Sequence, residues 1–209
     1  MFYIVKTPKW VNKFFSGSIW EMPQPVKSIY LTFDDGPHPA ITGFVLDELK
    51  KYNARATFFC IGKNVVANPL IFKRILSEGH SVGNHTYNHL DGWKTKNTDY
   101  LKDIARAERH ISASLFRPPY GRITIKQHRQ LQQMDKPFKI VMWSILSGDF
   151  DAKITSEQCC ENVLINAENG SIVVFHDSEK AFERLKYSLP RVLKYFSEKG
   201  YQFEKIVSS

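Results

Sequence analysis

The chain has 209 residues, and its 29 Lys+Arg against 21 Asp+Glu leave a formal charge of +8. With 43% apolar and 24% charged residues, a disordered or fibrous chain is excluded, and one globular domain with a sizeable core is the default. No run approaches the ~20 apolar residues that cross a bilayer, and three cysteines, with Cys159 and Cys160 adjacent, make no disulfide framework.

The stretch from Met1 to Gly17 is broken by Lys6, Pro8, Lys9, Asn12 and Lys13. It offers no apolar core for a secretory signal, so the chain as given reads as cytoplasmic or as trimmed of a leader. Short β-rich runs then alternate with helical patterns. Residues 28–34 set Ile29, Leu31 and Phe33 against Tyr30, Thr32 and Asp34, a period-two strand. Ile41, Val45, Leu49 and Tyr52 recur at helical spacing, and residues 54–61 form a second strand ahead of Gly62. Asn68 and Pro69 supply the N-cap and first turn of a helix that Gly79 stops. Residues 80–84 are a third strand, and residues 99–114 a helix with Tyr100, Ile104, Ala107 and Ile111 on one face. A fourth strand over 115–117, a helix over 124–134 and a fifth strand over 138–145 follow. Thr155 with Gln158 forms a capping-box signature before a helix that Gly170 ends. Residues 171–175 are the sixth strand, 179–199 a helix interrupted at Pro190, and 201–207 the last strand. Such alternation predicts parallel strands with helical crossovers, as a barrel or as an open doubly wound sheet. In both, function collects past the C-terminal ends of the strands.

Five strand ends carry ionisable or metal-capable groups. Asp34-Asp35-Gly36-Pro37 follows the first strand, His85-Thr86-Tyr87-Asn88-His89 the third and Arg117-Pro118-Pro119-Tyr120-Gly121 the fourth. Asp149 follows the fifth, and His176-Asp177 the sixth. His85 and His89, four apart, present both imidazoles on one face of a helical turn, where they share an ion or form a hydrogen-bonded surface pair. A carboxylate from another strand end completes a set of two His and one Asp with open coordination positions, and Asp34 and Asp35 are the natural donors. Neighbouring carboxylates repel, and a turn accounts for one aspartate better than for two. The doublet fits a division of labour in which one binds a metal and the other, kept ionised by a nearby cation, takes a proton from water. His176 either protonates a leaving group or is a partly buried histidine bonded to Asp177. His80 and His38 lie near the same face without an evident partner, and His110 and His128 sit in helical patterns as solvent-facing residues.

Thr32-Phe33-Asp34-Asp35-Gly36-Pro37, His85-Thr86-Tyr87-Asn88-His89, Arg117-Pro118-Pro119-Tyr120 and Phe175-His176-Asp177 resemble, in order, the motifs of polysaccharide deacetylases. These are the NodB-homology domains, or family-4 carbohydrate esterases, and the resemblance runs from about Ser28 to the C-terminus. It implies a single-domain, distorted (β/α)7 barrel of parallel strands over 28–209. Residues 1–27 remain outside it as a segment packed on the barrel through Trp10, Phe14, Phe15, Ile19 and Trp20. Asp35, His85 and His89 match the ligands of one divalent metal, usually zinc, with cobalt, nickel or iron as alternatives. Asp34 matches the general base, His176 the general acid and Arg117 the arginine that holds the base. Asp149 matches the aspartate that tunes the acid, and the Tyr120 backbone N–H matches an oxyanion donor. The implied reaction is hydrolysis of N-acetyl or O-acetyl groups on a glycan such as peptidoglycan or a chitin-like oligosaccharide. Where the family commonly has Asp-Ser-x-Asp-Trp, this chain reads Leu146-Ser147-Gly148-Asp149-Phe150.

A non-catalytic glycan-binding barrel and a hydrolase of another C–N bond, for example a formamide on a sugar, are the competing readings. The positive charge is spread along the chain, and no arginine-rich helix or base-stacking motif argues for a nucleic-acid partner. A monomer is the default state. The family usually acts outside the cytoplasm, against the missing signal.

Overall fold

The run Ser28–Asp34 forms β1 and is buried along its whole length. Ile29, Leu31 and Phe33 face a core with Phe58, Val173 and Phe175, whereas Tyr30 joins Phe59, Leu115, Val141 and Ile172 in a second cluster. A strand covered on both faces belongs in the middle of a parallel sheet wrapped by helices. The structure, a computed structural model, describes residues 3–22 and 25–207, without the side chains of residues 13 and 14.

After β1 come α1 (Ile41–Lys51), β2 (Thr57–Cys60), α2 (Gly62–Ala67), α3 (Pro69–Ser77), β3 (Ser81–Asn84) and α4 (Asn97–Glu108). Then follow β4 (Leu115–Phe116), α5 (Ile125–Gln132), β5 (Lys139–Ile140), β6 (Ile145–Leu146), α6 (Ser156–Asn166), β7 (Ile172–His176), α7 (Phe182–Glu198) and β8 (Gln202–Phe203). Seven strands lie in the order β5-β4-β3-β2-β1-β7-β6, and β8 joins β1 off this path. Every pairing is parallel. The fold is a distorted β/α barrel of seven strands in one domain.

The seven strands are not quite those of the sequence reading. The run over 138–145 divides into β5 and β6, with no helix between, because the chain keeps to β4 as far as Val141, which also bridges Ile19, and then crosses to pair with β7 on the other barrel edge. The last run, over 201–207, contributes only the short β8 at the start of β1. Asn68 precedes α3, but its side chain donates to the carbonyls of Pro37 and Asn64 instead of capping the helix. The helix read over 99–114 ends at Glu108. Thr155 and Gln158 do form a capping box at α6. Pro190 does not interrupt α7, whose Leu185, Leu189, Val192, Leu193 and Phe196 are buried. Packing of that stripe outweighs the ~3 kcal/mol cost of an internal proline.

The open edges of the sheet are β5 and β6, and the N-terminal segment lies on both. Ile19 N–H donates to the Ile140 carbonyl and Met142 N–H to the Ile19 carbonyl, each at 2.8 Å. On the other edge, Thr7 N–H donates to Ser144 and Leu146 N–H to Val5, again at 2.8 Å. Backbone groups that would otherwise face water, or another chain, are thereby paired. Trp20 is 7% exposed, and Phe15 and Ile19 pack on buried clusters. Trp10, in contrast, is 61% exposed, and Phe14 lies outside the described side chains.

Candidate metal centre and active site

Strand register explains why distant residues meet. Asp34 at the end of β1 pairs directly with His176 at the end of β7. Cys60, Asn84 and Phe116 form one row across β2, β3 and β4, so the next residues on β3 and β4, His85 and Arg117, emerge side by side. Asp35 follows Asp34, and Asp149 lies just past β6.

Arg117 is wholly buried, and its guanidinium makes four hydrogen bonds. Nη1 donates to Asp34 Oδ1 and to Thr32 Oγ1, both at 2.7 Å. Nε donates to the Val141 carbonyl at 3.1 Å and Nη2 to the Met142 carbonyl at 2.9 Å. Its carbon lies 4.0 Å from the Phe59 ring centroid. Burial lowers the Arg117 pKa, and the charge and hydrogen bond of Asp34 oppose the shift. The pair places a carboxylate, 4% exposed and salt-bridged to Arg117, at the mouth of the barrel.

Asp35 has φ 83°, a left-handed conformation rare outside glycine, which turns its side chain away from Asp34. The following Gly36 is obligatory in physical terms, because a Cβ there would fall 2.0 Å from Asp177 Oδ2. Asp177 accepts from Gly36 N–H at 3.0 Å and from the Thr42 hydroxyl, and so clamps this turn. Its carboxyl is raised to about 7, first by burial and further by the charge of Asp35. Asp177 is therefore not the partner of His176, as one reading of the sequence had it.

His85 Nδ1 lies 2.7 Å from the Arg117 carbonyl, which fixes the proton on that nitrogen and turns the Nε2 lone pair outward. Burial lowers its pKa to about 4, so the ring is neutral. Asp35 Oδ1 sits 3.2 Å from His89 Nε2 and 3.9 Å from His85 Nε2. That oxygen is buried and makes no hydrogen bond. Burial would raise the Asp35 pKa, but His89, His176 and His85 together hold it well below the usual carboxylate range. The donor atoms of Asp35, His85 and His89 all lie within 4.8 Å of one another. An orphaned carboxylate oxygen facing two imidazole nitrogens fits a divalent cation, and two His with one Asp leave coordination positions open.

The two histidines do not share a helical turn. Residues 85–90 are a loop with left-handed backbone at Thr86 (φ 64°) and His89 (φ 60°). Asp103 of α4 holds it, accepting from Tyr87 N–H at 2.8 Å, Asn88 N–H at 2.9 Å and Asn88 Nδ2 at 2.6 Å. Asn84 Oδ1 accepts from Thr86 N–H, and Asn64 Nδ2 donates to the Asp35 carbonyl. None of these supports was singled out from the sequence. Asp103 did leave a signal, an acid on the buried Tyr100–Ile104–Ala107 face of its helix.

His176 Nδ1 is 2.8 Å from Asp149 Oδ1, and its backbone N–H donates to Asp149 Oδ2 at 2.6 Å. Burial pushes its pKa down, but the charges of Asp149, Asp35 and Asp34 and the Asp149 hydrogen bond raise it to about 10. Phe150 stands edge-on to the His176 ring at 5.3 Å, and Tyr3 to Phe150 at 5.1 Å. Leu146 is buried in β6 beneath the N-terminal segment. Tyr120, left-handed at φ 60°, sets its ring T-shaped against that of His89, with the centroids 4.7 Å apart. A cavity of about 370 Å³ opens beside Asp35 and His89, with Lys63, Asn64, Asn68 and Glu179 on its walls.

Four histidines lie outside this cluster. His80 is at the opposite, N-terminal end of β3, where Nδ1 accepts from Ala56 N–H. His38 lines the cavity, 3.5 Å from Glu179. His110 is exposed. His128 is buried, not solvent-facing, and its Nε2 lies 2.8 Å from Ser18 Oγ in the N-terminal segment.

A family model described as polysaccharide deacetylase matches residues 21–138. The chain belongs to the polysaccharide deacetylase family. A peptidoglycan-N-acetylglucosamine deacetylase of Bacillus cereus is 36% identical over 190 residues, 88% of each chain. A chitooligosaccharide deacetylase of Azorhizobium caulinodans is 33% identical over 168 residues, 77% of this chain and 79% of that protein. Other relatives are longer, and the chain spans 62% of one and 42% of another. The crystal structure of the Bc1960 peptidoglycan N-acetylglucosamine deacetylase, in complex with an N-oxidanyl-benzamide, superposes with a TM-score of 0.85 at 32% identity, covering 96% of this chain and 95% of that one. Against the family's usual Asp-Ser-x-Asp-Trp pattern, Leu146 and Phe150 depart, yet Asp149 keeps its bond to the histidine and Phe150 keeps a ring against it.

Proposed function

We propose that this chain is a metal-dependent deacetylase that hydrolyses the acetamide of an N-acetylated glycan, peptidoglycan or a chitin-like oligosaccharide. The observation that carries the reading is the bare Asp35 Oδ1 facing two imidazole nitrogens, with the Asp34–Arg117 and His176–Asp149 salt bridges beside it. Family membership and the names of the relatives support the substrate class. We assign residues 28–209 as the catalytic unit and residues 1–27 as its N-terminal strap.

Asp35, His85 and His89 would hold one divalent cation, zinc in the first instance given nitrogen and carboxylate donors. Such a cation supplies Lewis acidity, polarising the acetyl carbonyl and lowering the pKa of water towards roughly 7. Asp34, with Oδ1 tied to Arg117, accepts the proton of the attacking water on its second oxygen. The Tyr120 backbone N–H donates to the carbonyl oxygen as it gains negative charge. His176, with Nδ1 tied to Asp149, gives its Nε2 proton to the amine as the C–N bond breaks. Acetate and a free amino sugar result.

The test is acetate release from N-acetylglucosamine oligomers and from peptidoglycan, with chelator and after addition of zinc. Activity should stop on chelation and return with metal. Asp34→Asn should lower kcat by about 10²-fold or more, since a positioned base contributes 10²–10⁴-fold. Release that survives chelation, or an Asp34→Asn chain of full activity, overturns the assignment. Glycan binding without release in a metal-loaded sample makes the chain a binding barrel instead.

A further inference from the structure

Beside the cluster lies an arrangement of exposed rings that the chemistry above leaves unused. Trp93, in the loop between β3 and α4, is 63% exposed. Its indole N–H nevertheless donates to the Ile123 carbonyl at 3.1 Å, and its backbone N–H to Asp91 Oδ1 at 3.0 Å. The ring is thus held in one orientation with its polar end satisfied and most of its apolar surface in water. The Arg122 guanidinium lies 5.3 Å from the Trp93 centroid and 5.7 Å from that of Tyr120. Asp91 Oδ2 fixes the guanidinium, accepting from Nη1 at 2.6 Å. Tyr120 is 55% exposed and reaches His89 at its other edge.

The loop beneath is rigid. Gln127 Nε2 donates to the Gly92 carbonyl at 3.0 Å, and the Thr95 hydroxyl to the Asp91 carbonyl at 2.8 Å. A Cβ at Gly92 would fall 2.4 Å from the Arg122 carbonyl oxygen, so loop and arginine lie in backbone contact. Trp93, Arg122 and Tyr120 therefore form a continuous ledge that starts at His89, and none of them lines the 370 Å³ cavity.

A large exposed ring that is locked in place costs apolar exposure without stabilising the core, and such surfaces mark binding sites. Flat apolar faces interleaved with a guanidinium and a carboxylate match a pyranose, whose C–H faces are apolar and whose rim carries hydroxyl and acetamide groups. Preorganisation leaves little conformational entropy to lose on binding. We propose that Trp93 and Arg122, with the Tyr120 ring, form a glycan subsite that holds sugar units flanking the one whose acetamide is hydrolysed. This inference rests on the glycan reading of the centre and deepens it: the preferred substrate is an oligomer or polymer.

The experiment measures acetate release and calorimetric binding with N-acetylglucosamine oligomers of two to five units, on the full chain and on Trp93→Ala. The chain should prefer the pentamer over the dimer, and Trp93→Ala should raise KM for the pentamer by about fivefold or more, the scale of one lost aromatic contact. The loss should fall on KM more than on kcat, should shrink as the oligomer shortens, and should be largely rescued in Trp93→Phe. If Trp93→Ala does not fold, Trp93→Leu, apolar but without a ring face, gives the same readout. Equal KM for variant and parent at every length, or no preference of the parent for longer oligomers, overturns the subsite. If no oligomer releases acetate, the deacetylase reading fails instead, and the subsite then stands only if Trp93→Ala weakens pentamer binding in the calorimeter.

Discussion

His80 shows how a single buried ring, far from the centre, sets a pH limit on the fold. Nδ1 accepts a backbone N–H from Ala56 and the ring stands edge-on to Phe58, so the site suits only the neutral form. Burial lowers its pKa to about 4, aided by the positive charges of Arg55, Lys205 and Arg74 and opposed by Glu78. An unfolded histidine titrates near roughly 6.5, so the unfolded chain binds more protons between that value and 4. Stability should therefore fall as pH drops through this window, by up to about 3 kcal/mol for this residue, and level off below it. Urea midpoints from pH 7 to 4 should show the fall, and His80→Gln should show a shallower one. At this scale the candidate ligands and their flanking pairs were legible in the sequence, since each stands at or just after the end of a β-rich run. What was not legible is which partner each side chain takes. Asp149, not Asp177, engages His176 because Asp177 is turned towards Gly36 and Thr42.

At the level of elements, α4 and the 85–90 loop work as a unit. The three N–H groups that Asp103 accepts belong to Tyr87 and Asn88, between the two histidines, so its carboxylate sets the separation of the two rings. Asp103→Ala should leave both imidazoles present but loosely placed. We expect a 10–100-fold loss of affinity for a divalent metal, the range seen when outer supports are removed, measured by competition with a calibrated chelator. Retention of full affinity would show that the loop holds itself. The i,i+4 spacing of His85 and His89 suggested a helix because periodicity assumes regular backbone, and the left-handed residues Thr86 and His89 break that assumption without any glycine to announce it. The split of the 138–145 run escaped for a related reason. Its apolar residues run unbroken from Ile140 to Trp143, but the partner strand changes midway, and partners are tertiary information.

For the molecule as a whole, parallel strands with helical crossovers were readable from alternation, whereas the order in which the strands pair and the covering of the sheet edges were not, because the strap pairs with residues more than a hundred positions away. Removing residues 1–22 should uncover the β5 and β6 edges and the groups that pack on Trp20. A Tm lower by about 5–10 °C, with new self-association by light scattering, is the expected result, given the ~1.5–3 kcal/mol that burial of one large apolar side chain contributes. An unchanged melting curve and a monodisperse sample would show the strap to be dispensable. The same pairing has a consequence for synthesis. Ile19 and Val5 are made early, but their partners at Ile140, Met142 and Leu146 emerge only after most of the barrel has been translated. Non-local contacts of this kind form late, and a nascent chain folds mainly with what has already left the ribosome. Phe15, Ile19 and Trp20 must then wait, uncovered, until residues 140–146 have been made, so a segment translated ahead of the barrel finds its place only after most of the barrel exists.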